Sequence, residues 1–499
     1  MPRTARQAGL LLHPTCLPGG HGIGDVGGEA TRLLDWMARA GLGLWQLLPL
    51  GPVGPDGSPY SPWSALSGNP LLIDLHALVV EGLLERSDLS GAPNRDRVDY
   101  VAALAFKGPR LWKAAGALCD ASDHRLQPAF QAFQRDNPWA AEAAHFAAEQ
   151  VDRRGAPWWT WPVAIRDRHS RALATSRQRH GERIRRGVAV EFLFDHQWRD
   201  LRRRAAERGV QLFGDVPIYV GGDSVDTWAG PDRFALGDDR MPTEVSGVPP
   251  DAFSATGQRW GNPLYDWAAH EREGFAWWTL RLQRALALCD LVRIDHFRAF
   301  SAYWAIPTSA EDARAGAWRP GPGQALFDAL GAALGPLPVV AEDLGTIDAD
   351  VRALMASAQL PGMEVLQFAF DGDPHNGYLP HNHRRRAVAY IGTHDNNTAL
   401  GWWREAGDQV RHRVRTYFGV DGHDIVWDLI RAALASTADR AVITAQDVLA
   451  LGAEARMNTP GLTVDNWNWR LRPGALDTRR ADRVRTLVGI YGRLEARVS

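Results

Sequence analysis

The chain is poor in several things a protein can be rich in, and each shortage excludes a class. It carries only three cysteines in 499 residues, Cys16, Cys119 and Cys289, far apart and odd in number. That pattern suits reduced thiols and excludes a disulfide framework or a cysteine metal cage. Its formal net charge is only −2, so there is no global attraction to nucleic acid or to an anionic membrane. No stretch approaches the roughly 18 apolar residues of a membrane span, and the N-terminal apolar run in MPRTARQAGLLLHP is too short for a secretory leader. These shortages together predict a cytoplasmic protein. The one strong basic run, RHSRALATSRQRHGERIRRG at 168–187, reads as the solvated face of a helix.

What is present is an ordinary globular composition, 45% hydrophobic and 23% charged, in a chain long enough for about three average domains or for one α/β barrel with insertions. Short apolar runs ending in polar or turn residues recur at 44–50, 71–75, 210–217, 291–297, 338–344, 363–370, 387–394 and 441–448. Each reads as a strand. Helical patterns such as AWWTLRLQRALALCD and GQALFDALGAALG stand between many of them, and such alternation predicts βα units around a parallel sheet. Eight units predict an α/β fold of the (β/α)8 TIM-barrel type with helical and loop insertions. Residues 1–75 and 206–499 are the expected barrel. Residues 76–205, Ala-, Leu- and Arg-rich with helical periodicity, read as an inserted helical subdomain. Residues 223–275, rich in Pro and Gly and too long for an ordinary βα loop, read as a loop-rich insertion over the active site.

In such a barrel the chemistry sits at the C-terminal ends of the strands. Acidic residues stand late in four of the runs: Asp215, Asp295, Glu342 with Asp343, and Asp395. In DLVRIDHFRAF (290–300), Arg293 and Asp295 are two apart and share a strand face, so the guanidinium lies beside the carboxylate and orients it. One such acid is as readily a structural ion pair as a catalyst. Acids on several strands facing one mouth repel each other, and their protonation is then pushed apart as acid/base chemistry requires. Two carboxyl groups about 5 Å apart across a glycosidic bond form a retaining glycoside-cleaving pair.

DLVRIDHFRAF, VVAEDLG and YIGTHDNNT resemble the active-site strands of the 4-α-glucanotransferases (amylomaltases, disproportionating enzymes), relatives of the α-amylase barrel enzymes. The likeness extends to RQAGLLLHPTCLPGGHGIGDVG, SPYSPWSALSGNPLLIDL, FGDVPIYV, GQRWGNPLYDW and ARMNTPG. It implies transfer of α-1,4-glucan segments between maltooligosaccharides, with hydrolysis of the same glucans as the alternative, and no cofactor or metal. It also implies Asp295 as nucleophile, Glu342 as general acid/base and Asp395 as the third carboxylate, with Arg293 orienting Asp295. His394, Asp215, His296 and Asn458 of ARMNTPG would bind sugar, and Tyr60, Phe253 and Trp260 would offer faces to the glucan. Two positions depart from the family pattern: Ala252 stands where a Tyr is usual in the PPD-Tyr-Phe-Ser loop, and Cys16 where a Ser is usual in HPTSLPG.

Other signals carry less. GIGDVG (22–27) fits a dinucleotide-binding glycine pattern but lacks the preceding strand and the acidic residue about twenty positions on, so it reads as a turn into a helix. His381 with His383, and Asp371 with Asp373, lack further ligands at metal-site spacing. The Trp pairs 158/159, 277/278 and 402/403 read as packing.

Overall fold

The computed structural model describes residues 6–19, 21–54, 56–250, 254–462 and 464–494. Twelve strands among them form two sheets. The larger sheet is made of β1 (Gln7–Leu11), β2 (Leu44–Gln46), β3 (Gln211–Val216), β6 (Leu291–Ile294), β9 (Val339–Ala341), β10 (Gly362–Val365), β11 (Ala387–Tyr390) and β12 (Arg440–Thr444). These eight pair in parallel and in sequence order, with β12 beside β1. The gap between β9 and β10 is bridged by the Ala341 amide, which donates to the Pro361 carbonyl at 2.9 Å. The sheet is therefore an eight-stranded barrel, as expected.

Seven of the eight predicted strands are present. The run at 71–75 is not one of them: Pro70–Leu72 is a 3-10 turn and Leu75–Val80 a helix. The side chains of Asn69 and Asp74 accept the amides of Leu71 and His76, and such caps compete with strand pairing. The missing strand is β1, built from the QAGLL that sequence alone leaves as a short apolar run.

Strand alternation sorts the side chains. Leu11, Leu44, Phe213, Leu291, Val340, Met363, Val388 and Val442 fill the barrel interior. Val292 and Ile294 face outward into the helix layer. Both faces of the strands are thus covered, which is why they read as near-continuous apolar runs. The helix Gly28–Ala40 buries Ala30, Leu33, Leu34 and Met37, a 3.6-residue stripe, and ends at Gly41 with φ 74°, a left-handed cap that favours glycine.

Between β2 and β3 the chain is helical. Its last helix, Gly181–Ala206, leads into β3; Trp198 Nε1 donates to the Leu288 carbonyl at 2.8 Å and Arg204 to the Val26 carbonyl at 2.9 Å. These bonds tie that helix to the end of the helix before β6 and to the loop that leads into Gly28–Ala40.

The second sheet is antiparallel, in the order β5-β4-β7-β8, from β4 (Glu244–Val248), β5 (Gln258–Pro263), β7 (Ala302–Pro307) and β8 (Ala317–Pro320). Its first two strands come from the segment after β3 and its last two from the segment after β6. Both segments leave the C-terminal ends of their barrel strands, so this sheet stands on the same side as the acidic strand ends. The glycines and prolines of EVSGV and QRWGNP hide these strands from propensity reasoning.

The GIGDVG glycines are explained by packing. A Cβ on Gly24 would lie 2.1 Å from the Pro14 carbonyl oxygen and 2.6 Å from the Leu17 nitrogen, so only glycine admits this backbone approach.

Candidate active site

The site begins with strand register. β3 pairs with β6 so that Asp215 lies opposite Arg293, and β6 pairs with β9 so that Arg293 lies opposite Val340. Arg293 shares the inward face with Leu291, and Glu342, two residues past Val340, shares the inward face of β9. Asp295 follows β6 directly, and its amide donates to the Val216 carbonyl at 3.0 Å.

Arg293 is buried and holds two carboxylates at once, donating to Asp215 Oδ2 at 2.6 Å and to Asp295 Oδ1 at 2.7 Å. A guanidinium is suited to this, because its planar fork offers donors in two directions and it stays charged when desolvated. The Tyr60 hydroxyl donates to the same Asp215 oxygen at 2.7 Å. Burial pushes the Asp215 carboxyl up, to about 7, against the lowering influence of Arg293. Asp295 remains more open, with its side chain 27% exposed.

Glu342 is gripped by main chain. His296 N–H donates to its Oε2 at 2.8 Å and Leu344 N–H to its Oε1 at 2.7 Å. Burial is the largest influence on its acidity, Arg293 opposes it and Asp295 adds to it, and the net result raises the carboxyl to about 8. At neutral pH this group carries its proton. The donor N–H belongs to the residue after Asp295, so the two acids stand on adjacent strand ends. His296 itself adopts the left-handed conformation, φ 49° and ψ 49°, and burial lowers its imidazole to about 3, so it is neutral. Holding a non-glycine residue there costs on the order of 1 kcal/mol or more, and such strain collects at functional sites.

Asp343, adjacent in sequence, is directed elsewhere. It accepts the Met363 amide at 2.7 Å and pairs with Arg384 at 2.8 Å, fastening β9 to β10.

Asp395 lies in the loop after β11. Asn458 Nδ2 donates to its Oδ1 at 2.6 Å, and His394 Nε2 lies 3.3 Å from the same oxygen. Burial lowers the His394 imidazole, while Asp395 opposes the shift. The Tyr60 ring stacks on His394, with centroids 5.2 Å apart and planes 13° apart. Tyr60 therefore joins the Asp215–Arg293–Asp295 row to the His394–Asp395 pair. Trp260, on β5, is 38% exposed, and the His296 ring meets it edge-on, with centroids 4.8 Å apart.

Of the residues expected from sequence, Asp215, Arg293, Asp295, His296, Glu342, Tyr60, His394, Asp395, Asn458 and Trp260 are brought together by these contacts. Phe253 and Ala252 lie outside the described residues. Cys16 is buried, with its amide donating to the His13 carbonyl at 2.9 Å. Two further residues belong to the site. Arg456 donates to the Asn458 carbonyl at 2.7 Å and also to the Asp395 carbonyl at 2.5 Å. Trp467 packs 5.7 Å from Tyr60 and 5.9 Å from His394. Arg456 sits in the ARMNTPG motif, which is the signal that could have found it; nothing in the sequence singles out Trp467 among 21 tryptophans.

His381 and His383 do not form a metal pair. His381 Nδ1 meets the Tyr417 hydroxyl at 2.8 Å and His383 Nδ1 the Ser436 hydroxyl at 2.7 Å, and no cluster of metal-ligating side chains occurs among the described residues.

A parallel barrel whose mouth carries an arginine-held acid, a proton-bearing acid and a third acid set among aromatic and amide side chains defines a carbohydrate-active barrel enzyme. Comparison with known proteins narrows the class. The family model for 4-alpha-glucanotransferase matches residues 12–477. The chain is 45% identical over 501 residues to the chloroplastic/amyloplastic 4-alpha-glucanotransferase of Arabidopsis thaliana, covering 99% of this chain and 87% of that one. It is 44% identical to the 4-alpha-glucanotransferase of Thermus thermophilus, covering 98% and 99%. The solved amylomaltase from Streptococcus agalactiae in complex with acarbose superposes with a TM-score of 0.95 at 34% identity, covering 98% of this chain and all of that one. The chain belongs to the 4-alpha-glucanotransferase family, and the enzyme class expected from its sequence is that family's.

Proposed function

We propose that this enzyme transfers α-1,4-glucan segments between maltooligosaccharides by a retaining double displacement. The observation that carries the reading is the contrast between two neighbouring acids, Asp295 held by a guanidinium at 2.7 Å and Glu342 raised to about 8 chiefly by burial. The Glu342 carboxyl gives its proton to the glycosidic oxygen as that oxygen leaves C1, while an Asp295 oxygen bonds to C1 from the opposite face. The product of this half is a glucosyl ester of Asp295 and a shortened glucan. Glu342, now a carboxylate, takes the proton from the 4-hydroxyl of a second glucan as that oxygen attacks C1, and the ester bond breaks. Two inversions give retention, and the two carboxyl groups account for every proton.

Asp395, placed by Asn458 at 2.6 Å, takes hydrogen bonds from sugar hydroxyls flanking the cleaved bond, and these strengthen as the ring flattens toward an oxocarbenium ion. His394 and His296 line the same subsite, Asp215, its side chain fully buried, supports it from behind through Arg293 and Tyr60, and Tyr60 and Trp260 offer it ring faces. The division into barrel (1–75 and 206–499), helical insertion (76–205) and cover (223–275) belongs to this reading: β4 and β5 of the cover carry Trp260 to the mouth. Excluding water until an acceptor docks separates transfer from hydrolysis. A cytoplasmic location belongs to the same reading, supported by three free thiols; no helix among the described residues is long and apolar enough to cross a membrane.

The test is incubation with maltotriose. Transfer yields a ladder of longer and shorter products without a net gain of reducing ends, abolished by Asp295→Asn. A steady rise in reducing ends without longer products assigns hydrolysis of the same glucans instead.

A further inference from the structure

The basic run at 168–187 reads from sequence as a solvated face, and folding sets part of it along an open groove. The helices Pro138–Asp152 and Ser170–Arg179, with the short helix Val163–Arg166, border a groove of about 510 Å³ that is open to solvent, within the volume range of sites that take small organic ligands. Arg153, Arg171, Arg179 and His169 line it, and Glu149 is its only lining acid.

The carboxylates of this face are already occupied. Glu149 is paired with Arg153 and accepts from the Ser176 hydroxyl. Asp152 is held by Arg179 at 2.6 Å and Arg183 at 2.9 Å, and Glu142 by Arg168 at 2.6 Å and Arg177 at 2.9 Å. Arg171, exposed on the groove rim, has no carboxylate partner among the described residues. The groove therefore carries an excess of positive charge. Its floor holds the Ser176 hydroxyl, 2.7 Å from His145 Nε2, and Ala164, Ile165 and Ala172 form an apolar wall.

We propose that this groove binds a hexose phosphate. A phosphate monoester supplies the divalent charge and acceptor oxygens that unpaired arginine recognises, and a hexose body fits the volume and its mixed wall. No Phe, Tyr or Trp lines the groove, so the ligand is held by its phosphate and hydroxyls and not by a ring face. Trp228 packs behind the groove. That indole donates to the Ile165 carbonyl at 3.1 Å and lies 4.4 Å beneath the Arg168 guanidinium, in the helix Val225–Ala229 that precedes β4.

The test is calorimetric titration of the full-length enzyme with glucose 1-phosphate, glucose 6-phosphate, inorganic phosphate and glucose, repeated on Arg171→Glu. The expected result is saturable binding of at least one ester with a dissociation constant below about 1 mM, weakened at least about tenfold by Arg171→Glu. Any glucose response, which belongs to the catalytic mouth, stays the same in both proteins. Maltotriose disproportionation by Arg171→Glu stays at the parent rate, which shows that the variant is folded. Absence of saturable ester binding, or ester binding unchanged in Arg171→Glu, overturns the proposal. Inorganic phosphate binding as tightly as the esters overturns the hexose assignment.

Discussion

Glu342 ties the chemistry of the mouth to the stability of the whole barrel, and its neutral analogue Glu342→Gln separates the two. A carboxyl that titrates near 4.5 when unfolded and near 8 when folded binds its proton more tightly in the native state. The stability it contributes is full below the unfolded value, declines as pH rises from about 4.5 toward 8, and is lost above that. Each pH unit in this window costs up to about 1.4 kcal/mol. The complete window gives an upper bound of about 5 kcal/mol, and relaxation around the charged group leaves an expected loss of about 2–4 kcal/mol. Glutamine keeps an acceptor for only one of the His296 and Leu344 amides and sets its NH2 against the other, which lowers stability equally at every pH; it never ionises, so its variant escapes the pH-dependent loss. The assay is the guanidinium unfolding midpoint of both proteins from pH 5 to pH 8.5. The parent should fall relative to Glu342→Gln by that amount, with the difference opening above pH 5. Midpoints that run parallel across the range would refute the assignment of a buried, protonated Glu342.

Three further outcomes follow from the same geometry. Arg293→Lys leaves a point charge in place of a fork that spans Asp215 and Asp295, so kcat/KM should fall about 10²-fold or more with little change in KM; initial rates with maltotriose check it. Trp260→Ala removes an exposed face beside His296, and KM for maltooligosaccharides should rise about tenfold, equivalent to about 1.4 kcal/mol of binding; kcat falling alone would contradict a platform role. Gly24→Ala forces a methyl against the main chain of the Pro14–Leu17 turn, and thermal unfolding should drop by an amount equivalent to about 2–4 kcal/mol, with no altered product pattern in the surviving enzyme.

Much of the barrel was legible because buried parallel strands are apolar on both faces and end in polar residues. The error lay where two short apolar runs look alike. LLIDL and QAGLL have similar length and composition, and periodicity cannot separate a buried strand from a short helical turn. Asn69 and Asp74, as caps, decide the first, and pairing of β1 with β2 and β12 decides the second. The antiparallel sheet escaped notice because its strands carry Gly and Pro and its second half comes from 302–320. At the site, the Arg293–Asp295 contact followed from spacing alone. Pairings such as Asn458 with Asp395, 63 positions apart, and Tyr60 with Asp215, 155 apart, exist only once the barrel closes. The motifs pointed to Asn458, while Trp467 had no local signature. Asp343 shows the converse, an acid beside Glu342 in sequence that strand alternation turns toward β10.

Covalent glycosylation of Asp295 can be measured directly in Glu342→Gln. With α-maltosyl fluoride as donor, the leaving fluoride needs no proton, so the first half-reaction proceeds, while the second lacks its base and the ester accumulates. Mass analysis of the acid-quenched, digested protein should place a maltosyl adduct on Asp295, absent when Asp295→Asn is added. Turnover without any adduct, or an adduct on Asp215 or Asp395, would contradict the account.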